Sequence, residues 1–310
     1  MPDTNSNPHL ARLEVTKTYK LLIDGKFPRS ESGRSTPVAD IRADGNVVAH
    51  VCRASRKDLR EAVEAARRAQ PGWAAATAYL RGQILYRMAE MLEGKKNEFA
   101  DALAATLPQH DRESRAESGV SSGIKEVESS IDRLIAYAGW ADKYSQVLGC
   151  NNPVAGPYYN FTVPEPTGVV VAIAPDQPPL LALVSLIAPV VAAGNTVVAL
   201  GSTAHPLTAA VLGEVCATSD VPPGVINILT GQRSELLAII ASHRDVDAIH
   251  AGGLDADESA LLRSGTAENI KRVTVHAMAP ASWSDDHLCQ SPWWIEPFVE
   301  MKTMWHPSAS

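Results

Sequence analysis

Five short runs rich in β-branched residues, separated by helix-like stretches, dominate residues 168–276 and constrain the fold more than any other feature. The runs lie at 168–174, 196–200, 225–229, 246–250 and 270–276. Runs of this length fit strands buried on both faces. Between them, 180–193, 206–218, 235–242 and 255–263 have helical length and spacing, and Gly194 with Asn195 stops the first of these. Strands joined through single helices run parallel, because each crossover returns the chain to the same end of the sheet. The prediction is α/β: a doubly wound, five-stranded parallel sheet.

The N-terminal half reads differently. Residues 1–18 are polar and are expected to form a disordered tail. Residues 19–27 read as a strand pair around Asp24-Gly25, a type I′ turn signal. A turn at Ala43, Asp44 and Gly45 precedes a strand at 46–52. Ser55 and Asp58 have capping-box spacing ahead of Leu59, Ala62, Val63 and Ala66 on one helical face. Leu80, Ile84, Leu85, Met88, Met91 and Leu92 define a second helix, and Ile124, Val127, Ile131, Leu134, Ile135 and Ala138 a third. The polar stretch 107–123 between them is expected to contain a loop. Residues 156–163 alternate like a strand, 277–297 read as an irregular linker with three Pro and three Trp, and 298–305 read as a last strand.

Composition excludes several classes. The chain has 310 residues, 45% hydrophobic, with 28 basic against 35 acidic side chains and a net charge of −7. No clustered basic face marks a nucleic-acid binder. The longest apolar run, 180–193, is too short to span a bilayer, and the N-terminus lacks the apolar core of a signal peptide. Cys52, Cys150, Cys216 and Cys289 form no CxxC pair, which fits reduced thiols in a cytoplasmic protein.

Several long motifs in series carry a family resemblance. LLIDGKF followed by RASRKDLREAVEAARRAQPGWAAATAYLRGQILYRMAEMLE resembles the N-terminal helical region of aldehyde dehydrogenases. EPTGVVVAIAP, LIAPVVAAGNTVVAL, VPPGVINILTG and HRDVDAIHAGG are similar to successive pieces of that family's cofactor domain, in family order, over about residues 19–276. The closest resemblance is to the non-catalytic second unit of family 16 aldehyde dehydrogenases and to free-standing versions of it. It implies a cofactor-type α/β domain over 19–276, N-terminal helices included, with oligomerisation strands around 150–165. FVEMKTMW resembles the family's C-terminal strand, which adds to a neighbouring subunit's sheet. It implies a C-terminal oligomerisation strand and tail over 298–310. In the family a catalytic domain precedes that strand. Here only 277–297 is available, about 21 residues against the roughly 50 a domain needs.

The resemblance also implies a chemistry, and the residues depart from it. The family uses a cysteine thiolate and a water-activating glutamate; neither motif is present. Cys289 in HLCQSPWW does not match the nucleophile motif, despite His287 nearby, and reads as a packing or exposed thiol. The family's Pro-Trp-Asn-Phe-Pro is replaced by Pro175, Asp176, Gln177, Pro178 and Pro179, which sets a carboxylate where an oxyanion would develop. The family's ribose-binding lysine aligns with Leu200, and its glutamate with Thr203. Asp255, Asp257 and Glu258 crowd the helix N-terminus where a pyrophosphate would lie. The remnant NAD or NADP site is Ala174, Pro175, Gln177, Ser202, Gly231, Gly252 and Gly253, with weak or no dinucleotide binding expected.

Three functions remain open. One is a non-catalytic subunit partnering a full-length aldehyde dehydrogenase or a second copy of this chain. The second is an NAD(P)-dependent aldehyde oxidoreductase. The third is a small-ligand sensor using the crevice at the strand ends. Trp293, Trp294, Ile295 and Phe298 form an aromatic patch that reads either as an interface anchor or as a plug over the sheet.

Overall fold

The computed structural model describes residues 15–42, 45–106 and 115–308, with side chains of the fourth helix from Val120 onward. A small sheet comes first: β1 (Lys17–Tyr19), β2 (Ser35–Asp40) and β3 (Asn46–Cys52), with β3 central. β1 begins inside the stretch predicted as tail, and Lys17 forms an ion pair with Glu214 at 2.8 Å. Residues 1–14 lie outside the described residues. The strand pair predicted over 19–27 reduces to a single bridge, Ile23 to Lys26, closing a turn in which Asp24 and Gly25 have φ of 54° and 68°. Leu21, Leu22 and Ile23 are buried in the core, and Leu22 bridges Ile228 on the other side. Ala43 and Asp44 of the second predicted turn lie outside the described residues; Gly45 has φ of 79° and donates to the Asp40 carbonyl at 3.0 Å.

Four helices follow: α1 (Arg56–Ala75), α2 (Ala78–Gly94), α3 (Lys96–Thr106) and α4 (Arg115–Trp140). The predicted capping box opens α1. Ser55 Oγ accepts from the Lys57 and Asp58 N–H groups, and Asp58 Oδ2 accepts from Ser55 N at 2.7 Å. Within 107–123, where a loop was expected, α4 already runs from Arg115, and 107–114 lie outside the described residues. Ser, Glu and Gly in that first stretch hide a helix whose stability comes from packing further along it. α3, rich in alanine and with Phe99 and Leu103 buried, has no counterpart in the sequence reading.

The short helix α5 (Tyr144–Leu148) leads through β4 (Cys150–Asn152) and β5 (Tyr158–Pro166) into the main layer. That layer alternates β6 (Val169–Ile173), α6 (Leu181–Ala192), β7 (Thr196–Leu200), α7 (Leu207–Thr218), β8 (Ile226–Leu229), α8 (Arg233–Ser242), β9 (Ala248–Gly252), α9 (Ala256–Ala267) and β10 (Arg272–His276). All pairings are parallel, in the order β10-β9-β6-β7-β8. The doubly wound prediction therefore holds. All twelve residues of α6 are buried, so the helix is apolar all round, as expected in a domain core. Leu180 offers no side-chain cap. The Glu126 carboxylate of α4 supplies it, accepting from Leu180 N at 2.8 Å and Leu181 N at 3.1 Å.

The stretch 277–297 is not a loose linker. It folds into short 3-10 turns around α10 (Asp286–Cys289) and packs against one face of the sheet. Trp283, Cys289, Trp294, Ile295 and Phe298 are buried, so the aromatic patch is a plug; Trp293 alone of that patch stays exposed. α4 holds the plug by a ladder of donors spaced along one face. Arg133 donates to the Trp283 carbonyl at 3.0 Å, Tyr137 Oη to the Cys289 carbonyl at 2.8 Å and Trp140 Nε1 to the Gln290 carbonyl at 2.7 Å. The chain then enters β11 (Val299–Pro307), which pairs antiparallel with β5 in a third sheet ordered β11-β5-β4. Among the described residues no helix is long and apolar enough to cross a membrane. All four cysteines are free.

Candidate cofactor site

In an open parallel sheet, ligands bind beyond the carboxyl ends of the strands, where the strand order reverses. Here the chain moves from β6 outward through β7 and β8, then crosses back to β9 and β10. The switch point is therefore between β6 and β9. Pro175 follows the first of these strands, and Gly252 with Gly253 ends the second.

These three predicted site residues do come together, but against each other. A Cβ added to Gly253 would lie 2.5 Å from Pro175 Cβ, and one added to Gly252 would lie 2.7 Å from the Trp283 ring. Trp283 is 1% exposed. The glycines thus admit a proline and an indole from this chain at the switch point. Ala174 is buried behind them, its N–H donating to the Leu200 carbonyl at 3.0 Å. Gln177 is exposed and lies outside this contact.

Ser202 is buried and belongs to a separate cluster. Its hydroxyl donates to Asp176 Oδ1 at 2.8 Å and accepts from His205 N at 2.8 Å; Ala204 N donates to the same Asp176 oxygen at 3.0 Å. Burial works to raise the Asp176 pKa. The donated hydrogen bonds, with Arg233 beyond them, outweigh it and hold the carboxyl below its usual range. A fixed negative charge therefore stands at the strand ends. Gly231 accepts from Thr203 Oγ1 at 3.4 Å and borders a crevice of about 10 Å³ shared with Cys52 and Gln232. That is at the lower limit for one water molecule.

The N-terminus of α9 is satisfied from within, as the acidic first turn implied. Asp255 Oδ1 accepts from Glu258 N at 2.8 Å, and Glu258 Oε2 accepts from Asp255 N at 3.2 Å. Glu258 also pairs with Arg233 at 2.8 Å, which takes up a cation next to the would-be phosphate site. A pyrophosphate would meet carboxylates where it needs free N–H groups. As arranged, these residues do not fit a dinucleotide.

Sequence reasoning missed the most unusual group in this region, a histidine pair. His250 on β9 and His276 on β10 face each other with Nε2 atoms 2.8 Å apart. His250 Nδ1 lies 2.9 Å from the Leu186 carbonyl, which requires the proton on Nδ1 and leaves Nε2 to accept from His276. Trp294 stacks on the His276 ring at 4.0 Å, and Phe298 covers His250 at 4.5 Å. Burial lowers both pKa values, that of His276 to about 4. The signal existed: the register sets His250 beside Thr274, so His276 falls two residues on, on the same face of the neighbouring strand. Among the described residues no group of three or more ligating side chains gathers around a metal position.

Cys289 sits inside the plug. Its thiol points to the Ser282 carbonyl at 3.6 Å, and burial pushes its pKa up, so it is held as a thiol and not as a nucleophilic thiolate. A larger groove of about 860 Å³ lies elsewhere, between α2 and α4, and none of the predicted site residues line it.

With the fold and the strand-end site in hand, comparison with known proteins identifies the class. Residues 28–279 match the family model described as the aldehyde dehydrogenase family, and the chain belongs to that family. It is 35% identical over 266 residues to aldehyde dehydrogenase family 2 member B4, mitochondrial, of Arabidopsis thaliana, covering 85% of this chain and 47% of that protein. It is 35% identical to retinal dehydrogenase 2 of Mus musculus, covering 85% of this chain and 49% of that protein. Among solved structures, the NAD+ complex of aldehyde dehydrogenase from Bacillus cereus superposes with a TM-score of 0.75 at 27% identity, covering 83% of this chain and 50% of that one. The chain spans about half the length of the relatives it matches.

Proposed function

We propose that this chain is a non-catalytic aldehyde dehydrogenase-like subunit, a structural or regulatory partner within a homo- or hetero-oligomer. The observation that carries the reading is Trp283. It fills the switch point against Pro175 and Gly252, so the crevice at the strand ends is closed by the chain itself. The internally capped α9 and the anionic Asp176 support it, because both oppose a phosphate-bearing ligand. The partner is a full-length aldehyde dehydrogenase or a second copy, and the location is the cytoplasm. The test is turnover: the purified chain is mixed with NAD or NADP and a panel of aldehydes, and absorbance of the reduced cofactor is followed. No turnover above the blank is expected; turnover abolished by Cys289→Ala would establish an enzyme.

The second reading is an NAD(P)-dependent aldehyde oxidoreductase that oxidises an aldehyde to the acid. It is favoured by one observation, that relatives 35% identical to this chain carry dehydrogenase names. It needs a thiolate and a bound dinucleotide that the arrangement of Cys289 and Trp283 does not provide. The same assay separates the two.

A further inference from the structure

We infer that residues 280–298 form a proton-sensitive latch: acid loosens this plug from the face of the parallel sheet as a unit, ahead of the sheet itself, because the plug is seated on the His250–His276 pair. The latch would regulate the closed switch point proposed above, and it rests on that reading only for this consequence.

Three aromatic side chains of the plug meet the sheet at these two imidazoles. Trp294 stacks flat on His276 with ring centroids 4.0 Å apart and meets His250 edge-on at 5.7 Å. Phe298 covers His250 at 4.5 Å, and Trp283 meets His276 edge-on at 6.1 Å. The two histidines stand on adjacent parallel strands paired in register, and β9 is paired to β6 as well. The plug has no such ladder. It consists of short 3-10 turns around a four-residue helix, tied to α4 by side-chain donors. Segments of this kind open at lower free energy than the strands of a core.

This seat has no provision for a charge. Of its four ring nitrogens, His250 Nδ1 donates to the Leu186 carbonyl, and the two Nε2 atoms share one proton at 2.8 Å. A further proton enters at His276 Nδ1, or else sets two N–H groups head-on between the rings. Either way a cation forms among three aromatic side chains. The face of Trp294 attracts a cation, but that contact returns less than the hydration lost. Among the described residues no carboxylate is placed to compensate. α6 meets the pair with the Leu186 carbonyl, and β6 sets Ala172 beside His250. α4 brings Arg133, itself a buried cation bonded to the Trp283 carbonyl. On the plug, Asp285, Asp286, His287 and Glu296 are exposed, and Asp286 is paired with Arg133. On β10, Arg272 is a further cation, held by Glu300. Burial accordingly keeps both histidine pKa values low, that of His276 at about 4. Lifting the plug returns His276 to water and to its ordinary value. The open form then binds more protons, and it gains on the closed form as pH falls from about 6.5 towards 4.

Hydrogen exchange of the full chain in low urea, read by mass spectrometry, tests the latch. Amides of 280–298 are expected to exchange through an opening that depends weakly on urea. Amides of β6, β7 and β9 are expected to need the strongly urea-dependent unfolding of the whole domain. Between pH 7 and pH 4.5, after correction for intrinsic exchange, the opening constant of the plug is expected to rise about 50-fold, from a His276 pKa of about 4 closed and about 6.5 open. His276→Phe, which keeps the stack on Trp294, is expected to remove most of that rise. His276→Gln, smaller and also without a titrating ring, gives the same reading if the first variant does not fold. Plug amides with the urea dependence of the sheet, or an opening whose pH response survives the loss of the His276 ring, overturn the latch. Titration with NAD at pH 7 reads the closed switch point separately. Binding there, with a plug that opens in acid, removes the closure and keeps the latch; no binding, with a plug indifferent to pH, does the reverse.

Discussion

At the scale of single residues, Trp283 and the histidine pair carry the most distinctive physics. Trp283→Ala empties a fully buried site and is expected to cost about 3–5 kcal/mol in urea denaturation. The histidines set a pH dependence whose sign is fixed. Both folded pKa values lie below the ordinary 6.5, so the unfolded chain binds more protons as pH falls. The stability they contribute is present above about 6.5 and is lost as pH falls from there towards 4. His276 alone is expected to account for on the order of 3 kcal/mol at most across that window. Replacing it with Phe, which keeps the stack on Trp294, is expected to flatten the loss when denaturation midpoints are compared at neutral and mildly acidic pH. His250 was read only as the end of a strand, since its meeting with His276 needs the register of two paired strands, and Trp283 was read as part of a linker, because its burial leaves no local pattern.

At the scale of elements, the plug and α4 form one unit. Arg133 is fully buried and donates to Ser185 and to the Trp283 carbonyl, so α4 ties α6 to the plug. Tyr137→Phe removes one hydrogen bond to the Cys289 carbonyl and is expected to cost about 1 kcal/mol. It should also speed hydrogen exchange in 280–298 more than in the parallel sheet. Glu126→Ala strips the cap from α6, leaving two buried N–H groups unpaired, and is expected to cost about 1–3 kcal/mol; Glu126→Gln, which keeps an acceptor, should cost less. The parallel sheet was legible because each β-branched run is long and apolar enough to declare itself. α3 and the start of α4 were not, since alanine, serine and glycine carry little periodic signal and tertiary contacts decide their state. β9 shows the same limit at a boundary: the predicted run 246–250 becomes Ala248–Gly252 because Val246 closes a turn on the His243 carbonyl. At the candidate site, the acidic helix start of α9 was read correctly from three side chains, whereas the collapse of Gly252 and Gly253 onto Pro175 depends on the geometry of two loops.

At the scale of the whole molecule, the family's parallel sheet is kept while Pro175 and Trp283 pack onto Gly252 and Gly253 at the switch point. The proposed function rests on that packing leaving no room for a dinucleotide. Calorimetric titration of the intact protein with NAD, and separately with NADP, tests this most directly. With Trp283 seated on Gly252 and α9 capped by Asp255, the expected result is no measurable heat of binding, or an affinity no tighter than the millimolar range, worth about 4 kcal/mol. A micromolar dissociation constant for either dinucleotide would contradict it.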